Sequence, residues 1–420
     1  MPVHEFFIPP GVIYGPGALA RLGEEAGRLG RKALLVAGRG SLRRGGALER
    51  IERLLGAAGV ETVLFEGVEG DPSAETVDRG VAAALDGACD LVVAAGGGSA
   101  IDAGKAIAGI ATNGGSTYDY LEGKEIRLPP LPFVAVPTTA GTGAEVTKNA
   151  VITDRRRGRK QSIRHRFLVP SAAVVDPELT FSLPPAPTAA TGMDALAQLV
   201  EPYVSRRSTP LTDTLALRGI QLTGSCLARA VRDGGDAEAR AGMSFAALLS
   251  GMALANAGLG AAHALSHPLG VRFNVPHGCA CAILLPRVMA FNLPAAAQRY
   301  ADVAAALGEE VRGLAVEDAA RRAVERVRRL AAEIGIPPGL SAFGVREKDF
   351  AAIAREARGS SLEGNPVAVV EAVAVCGVAD DGMEDVLQVA ADLMSSAGAG
   401  GDFQEGVSGR GELPDWNGKL

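Results

Sequence analysis

Apolar residues follow two different rhythms along this chain. In its first part they come as short runs: Ala33-Leu-Leu-Val-Ala37, Glu61-Thr-Val-Leu-Phe65, Asp90-Leu-Val-Val-Ala-Ala95, Phe133-Val-Ala-Val136 and Ala172-Ala-Val-Val175. Stretches with helical spacing lie between them, at 43–58 and 73–85. Continuous apolar runs of strand length alternating with helices predict a doubly wound parallel sheet, buried on both faces. From about Pro184 the strand-like runs stop. Residues 191–205, 210–231, 237–257 and 316–334 instead carry Ala, Leu and Val at helical spacing. Pro184-Pro185-Ala-Pro187 is a natural hinge between the two regimes. The expectation is a dinucleotide-binding α/β domain over 1–183 and an all-helical domain over 184–394. A Gly-rich tail without periodicity follows over 395–420.

Composition narrows the function. The 420 residues are 47% hydrophobic but only 4% aromatic, which favours helices packed through small side chains. A net charge of -6 provides no electrostatic footprint for nucleic acid or an anionic membrane. The basic run Arg155-Arg-Arg-Gly-Arg-Lys160 is the local exception and is expected to be a solvated loop. The N-terminus lacks the basic and apolar regions of a secretory signal, and no unbroken apolar run of about twenty residues predicts a membrane span. The cysteines are five and scattered, which suits a reducing cytoplasm. Cys279-Ala-Cys281 is too tightly spaced for a zinc knuckle and is expected to be a pair of small buried thiols.

Candidate chemistry gathers in three places. Of the five histidines, His263, His267 and His277 fall within one short stretch. Imidazole is the commonest side chain for holding a divalent metal or moving a proton near neutral pH. His263 and His267, four apart, share a helix face, and Pro268 and Gly270 are expected to turn the chain so that His277 returns. Gly96-Gly-Gly-Ser99 stands between a strand and a helical run, an arrangement that aims backbone N–H groups at a pyrophosphate. Ile101 occupies the place of the third glycine of a GxGxxG fingerprint, and earlier strands precede the turn, so it is a nucleotide-binding turn of another type. Pro137-Thr-Thr-Ala-Gly-Thr-Gly-Ala-Glu-Val-Thr147 follows the next strand and offers small hydroxyls to phosphate or ribose.

Taken in order, the glycine turn, this threonine loop, Gly192-Met-Asp194-Ala-Leu-Ala-Gln198 and the histidine segment resemble the iron-containing (group III) alcohol dehydrogenases. Phe7-Ile-Pro-Pro-Gly-Val-Ile-Tyr-Gly15 and Asn113-Gly-Gly-Ser-Thr-Tyr-Asp-Tyr120 fit the same pattern. The resemblance spans about 5–366 and fades after Ser360-Ser-Leu-Glu-Gly-Asn-Pro366, where one more short helix is expected.

The resemblance implies a divalent metal, Fe2+ or Zn2+, held by an aspartate and three histidines. Asp194, His263 and His277 match three of these ligands, and Gln198 stands where the remaining histidine belongs. Its amide oxygen is a neutral but weaker donor. His267 matches a histidine beside the substrate and is the candidate proton relay. The resemblance also implies a dinucleotide with its pyrophosphate on Gly97, Gly98 and Ser99, its turn capped by Asp102. Thr138, Thr139 and Thr142 would hold the nicotinamide half, and Asn149 and Lys160 would complete the cofactor site across a cleft. NAD-using relatives end the first strand in an acid; here Gly38 stands there, followed by Ser41, Arg43 and Arg44, which favours NADP over NAD.

The expected activity is hydride transfer between NAD(P)(H) and a small alcohol or aldehyde in a cytoplasmic homodimer. The alternatives are a metal-independent reductase of the maleylacetate reductase type, a lyase of the dehydroquinate synthase type, and a catalytically inert nucleotide-binding protein.

Overall fold

The computed structural model describes residues 3–357 and 360–367. Six parallel strands form one sheet: β1 (Gly11–Tyr14), β2 (Lys32–Gly38), β3 (Glu61–Val68), β4 (Leu91–Gly96), β5 (Phe133–Pro137) and β8 (Ala172–Val175). β6 (Asn149–Asp154) and β7 (Arg159–Arg164) pair antiparallel as a separate hairpin. The sheet order is β1-β8-β5-β4-β2-β3. Helices α1 (Leu22–Leu29), α2 (Ser41–Arg44), α3 (Ala47–Ala57), α4 (Ala74–Asp86), α5 (Gly98–Asn113) and α6 (Thr117–Leu121) lie among these strands. Two apolar layers sandwich the sheet. Leu35, Val93, Val134 and Val174 join α1 and α3 through Leu22, Ile51 and Leu55, and Leu34, Val92 and Ala135 join α4 and α5 through Val77 and Ile107. Strands buried on both sides explain their unbroken apolar sequences.

Chain direction across the sheet reverses between β2 and β4, because β3 lies outward of β2 while β5 and β8 lie outward of β4. Ligands of open parallel sheets bind beyond the carboxyl ends of the strands at such a switch point. The residues there are Gly38 and Gly96–Gly98. The strand positions reproduce the expected runs, with three differences. The expected helix over 43–58 is interrupted at Gly46, whose φ of 70° places it in the left-handed region, so α2 and α3 are separate. The basic run is a loop only over its first four residues, and Arg159 and Lys160 already belong to β7. β1 and the β6–β7 hairpin were not anticipated, because both are short and β7 is mostly polar.

The chain's second half is helical: α7 (Pro185–Val204), α8 (Pro210–Arg232), α9 (Ala237–Ala257), α10 (Ala261–Phe273), α11 (His277–Ala306), α12 (Val316–Glu333), α13 (Glu347–Glu356) and α14 (Ser360–Gly364). The two compact units divide at Leu183/Pro184, and residues 234–255 belong with the first unit. That places most of α9 on the α/β side, against the expected contiguous division. Phe245 of α9 stacks on Tyr14 of β1 at 4.7 Å, and Ser250 Oγ donates to the Gly141 carbonyl at 3.4 Å. The second unit comprises Pro184–Asp233 and the chain from Asn256. The end of the helical domain at 394 and the tail over 395–420 lie outside the described residues. Among the described residues one helix, α11, or two if the bent pair α9 and α10 counts as one span, is long and apolar enough to cross a membrane, and 61% of the α11 window is buried inside the protein.

Candidate active site

The first unit brings most of the anticipated dinucleotide residues together. β4 ends at Gly96, and Gly97 occupies the N-cap of α5 with no side chain satisfying the first N–H groups. Those donors and the positive end of the helix dipole are left for an anion. The threonine loop runs directly alongside: Thr138 N donates to the Gly96 carbonyl at 2.9 Å. A Cβ built on Gly98 would meet Thr142 Oγ1 at 2.7 Å, and one on Gly97 would meet Thr139 Cγ2 at 3.4 Å. Ser99 Oγ accepts from Asp71 N at 3.1 Å, and Asp71 pairs with Lys160 at 2.7 Å, which carries Lys160 to the same turn. Gly38 also borders it, its nitrogen 4.0 Å from the position a Gly96 Cβ would take.

Asp102 does not cap the turn. Its Oδ2 accepts from Val151 N of β6 at 3.1 Å, and its Oδ1 lies 3.6 Å from Lys105 Nζ. It stands in the second turn of α5 on the buried side, and capping needs a residue ahead of the helix. Lys105, passed over in the sequence, is almost fully buried and donates to Thr147 Oγ1 at 2.7 Å and to the Asn149 carbonyl at 2.9 Å. Asn149 thus contributes backbone to the tie between α5 and β6. Burial lowers the Lys105 pKa, with Asp102 and Glu145 opposing the shift. Burial alone pushes buried Glu145 up to about 7 despite its own backbone hydrogen bond and Lys105. Arg43 pairs with Glu66 at 2.9 Å and, more distantly, with Glu49 at 3.9 Å. No side chain placement is described for Ser41.

The second unit holds a buried donor cluster. Asp194, Gln198 and Glu201 follow one face of α7 at helical spacing and are all buried. His263 and His267 lie on α10, and His277 opens α11. α10 continues through Pro268 and Gly270, contrary to the expected turn there; the chain reverses at Asn274, whose φ of 53° is left-handed, and at Pro276. A proline inside a helix removes one backbone donor without obliging the chain to reverse. Gly278 allows α11 to start against α7, since a Cβ there would lie 2.1 Å from the Ala190 carbonyl oxygen.

The ligand-type atoms of Asp194, His263, His277 and Cys281 all lie within 4.8 Å of one another. Asp194 Oδ1 is 3.3 Å from His263 Nε2 and 3.5 Å from His277 Nε2, and Cys281 Sγ is 3.7 Å from His277 Nε2. Charge-assisted N–H···O bonds close to about 2.7–2.9 Å. The edges of a tetrahedron of donors about 2.0–2.3 Å from a central ion are about 3.3–3.7 Å long. These separations therefore suit ligands around a cation better than hydrogen-bonded partners. Each imidazole is oriented from behind: His263 Nδ1 lies 2.5 Å from Glu201 Oε2, and His277 Nδ1 lies 3.2 Å from Ser266 Oγ. Such outer partners set the tautomer that leaves Nε2 free to ligate. Gln198 turns its amide nitrogen to Asp194 Oδ2 at 3.0 Å.

The charges agree with this arrangement. Burial opposes ionisation of Asp194, yet His277 and His263 hold its pKa below the ordinary value. Burial likewise opposes a charged His263, and Cys281, Glu201 and Asp194 nevertheless raise its pKa well above normal. The Cys281 thiol is drawn down by His263 and His277 against its burial. Buried acids converging on one point demand positive charge, from imidazolium or from a bound ion. His277 keeps 30% of its side chain exposed, so the cluster is reached from that side. The His267 ring centre is 5.9 Å from that of His277, and His267 is not one of the four clustered donors. In the sequence the close Cys279/Cys281 spacing masks Cys281; the informative interval is His277 to Cys281, four apart on one helix.

A parallel sheet with an uncapped glycine turn at its switch point suits a nucleotide, and the helical unit's buried Asp/His cluster suits a metal ion. Residues 9–177 match the iron-containing alcohol dehydrogenase family, and 188–375 match the C-terminal region of the same family. The chain belongs to the iron-containing alcohol dehydrogenases. It is 38% identical over 371 residues to the NAD-dependent methanol dehydrogenase of Bacillus methanolicus, covering 88% of this chain and 97% of that one. It is 42% identical over 349 residues to the 1,3-propanediol dehydrogenase of Klebsiella pneumoniae, covering 82% and 90% respectively. A crystal structure of 1,3-propanediol oxidoreductase superposes with a TM-score of 0.87 at 39% identity, covering 94% of this chain and all of that one. The chain is an enzyme that acts on CH–OH groups or the corresponding carbonyls with a nicotinamide dinucleotide.

Proposed function

We propose that this protein interconverts a small primary alcohol or diol with its aldehyde, using Asp194, His263 and His277 to hold a divalent iron or zinc ion. The convergence of these three donors on one buried point supports this reading best. The ion, when bound, supplies Lewis acidity toward the substrate's oxygen. Glu201 and Ser266 hold the two imidazoles in register. His267, half-buried beside His277, carries the alcohol proton toward solvent. Gly97, Gly98 and Ser99 receive the pyrophosphate, Thr138, Thr139 and Thr142 position the nicotinamide half, and Lys160 neutralises phosphate charge. The hydride chemistry belongs to the dinucleotide, while these side chains supply orientation and field. The relatives' names, methanol and 1,3-propanediol dehydrogenase, support a short, uncharged substrate.

The dinucleotide form proposed is NADP(H), because Gly38 leaves no acid at the end of β2 and Arg43 and Arg44 follow. The Arg43–Glu66 pair stands against this, but it is half-exposed, and such pairs are individually weak against a doubly charged phosphate. A cytoplasmic homodimer completes the reading; the described cysteines are all free thiols.

Metal content and chelation test the reading. About one equivalent of divalent metal per chain, removed together with activity by a chelator, is the expected result. Full carbonyl reduction by metal-free protein overturns it and favours the metal-independent reductase class.

A further inference from the structure

We infer that Cys281 is the fourth protein ligand of the metal site, which is thus an Asp–His–His–thiolate centre, with Gln198 acting as a positioning residue for Asp194. The inference rests on the metal-dependent reading above. In the pattern that the chain resembles, position 198 bears a histidine, and here a glutamine holds that place. Gln198 donates its amide N–H to Asp194 Oδ2 at 3.0 Å, which ties that side chain to the aspartate. Cys281 is fully buried, stands one helical turn after His277, and places Sγ 3.7 Å from His277 Nε2, within the range of tetrahedral edges for a sulfur and a nitrogen ligand. The neighbouring Cys279 is equally buried but is not one of the four converging donors.

The chemical consequence is a change of donor character. An aspartate and three imidazoles form a borderline set, whereas one thiolate shifts the set toward zinc over iron(II). A divalent ion held here would take Cys281 as the thiolate, its S–H proton being released to solvent. A zinc ion held by these four residues would need to expand to five-coordinate to take a substrate oxygen.

Cobalt(II) substitution and zinc-edge X-ray absorption test this on the intact protein. The cobalt-loaded wild type is expected to show a near-ultraviolet thiolate-to-cobalt charge-transfer band. That band is expected to vanish in Cys281→Ser and persist in Cys279→Ser. The zinc form is expected to show one sulfur scatterer at about 2.3 Å. Zinc affinity is expected to drop by more than about 100-fold in Cys281→Ser, beyond what loss of an outer partner costs. Adding Gln198→His to Cys281→Ser is expected to restore affinity without the band, which separates ligand loss from misfolding. A bound ion with no sulfur signature, and Cys281→Ser binding zinc as tightly as wild type, would overturn the inference while leaving the metal-dependent reading intact. A wild type that binds no ion overturns both.

Discussion

His263 Nδ1 sits 2.5 Å from Glu201 Oε2, and the same glutamate accepts from Ala262 N through Oε1 at 2.7 Å. One carboxylate therefore grips both the start of α10 and the ring that α10 presents. Glu201→Gln keeps the shape but removes the charge that holds Nδ1 as a donor. Metal affinity is expected to fall by about 10–100-fold, read by competition with a chromophoric chelator. Unchanged affinity would show that backbone packing alone orients His263.

His277 is the most exposed of the four clustered donors. His277→Ala is expected to cost on the order of 3 kcal/mol of transition-state stabilisation, about 100–1000-fold in kcat, while NAD(P)H affinity stays within about twofold. His267→Asn is expected to alter the pH profile of kcat, as loss of a proton relay does. A mutant profile superimposable on the wild type would remove His267 from the reaction.

Gly98 has room for hydrogen only. Its added Cβ would strike Thr142 Oγ1 at 2.7 Å, so Gly98→Ala forces the glycine turn and the threonine loop apart. Dinucleotide affinity is expected to weaken by about tenfold or more, equivalent to about 1.4 kcal/mol, with metal content unchanged. Isothermal titration with the dinucleotide checks this, and metal loss in the same variant would signal general misfolding instead.

Arg43→Ala separates the two cofactors. The ratio of kcat/KM for NADPH to that for NADH is expected to fall by about tenfold, because the extra phosphate loses its guanidinium partner while the adenosine ribose of NADH does not. An unchanged ratio would assign Arg43 to its Glu66 pair and leave NAD(H) as the working cofactor.

Glu145 titrates where stability can be read. Its ordinary pKa is 4.5, and burial pushes it to about 7 in the folded chain. The folded state therefore binds more protons between these values, so this group's contribution is fully present below about 4.5 and is lost as pH rises to about 7. The Tm of the wild type relative to Glu145→Gln is expected to decline across that window and level off above it. A flat difference would mean that Lys105 neutralises Glu145 throughout.

Local chemistry was legible where one segment carries the whole signal. The strands at 33–37, 90–95, 133–136 and 172–175 needed only their apolar runs, and the glycine turn needed only its place between a strand and a helix. Misreadings came where two local readings competed. Asp102 reads as a cap, yet its side chain bonds β6 and faces Lys105; Pro268 reads as a turn, yet α10 runs through it.

The sequence by itself determined that Asp194 shares a face with Gln198, and His263 with His267. Helical periodicity sets those groupings through bonds a few residues long. Tertiary structure alone decided which faces meet. It brought α7, α10 and α11 around one point, turned the Gln198 amide nitrogen onto Asp194, and admitted Cys281 in preference to Cys279. It also placed α9 with the α/β unit, although the sequence around it is helical throughout. These outcomes depend on close packing between segments far apart in the chain, such as Gly278 against Ala190, and no periodicity within one segment encodes its partner.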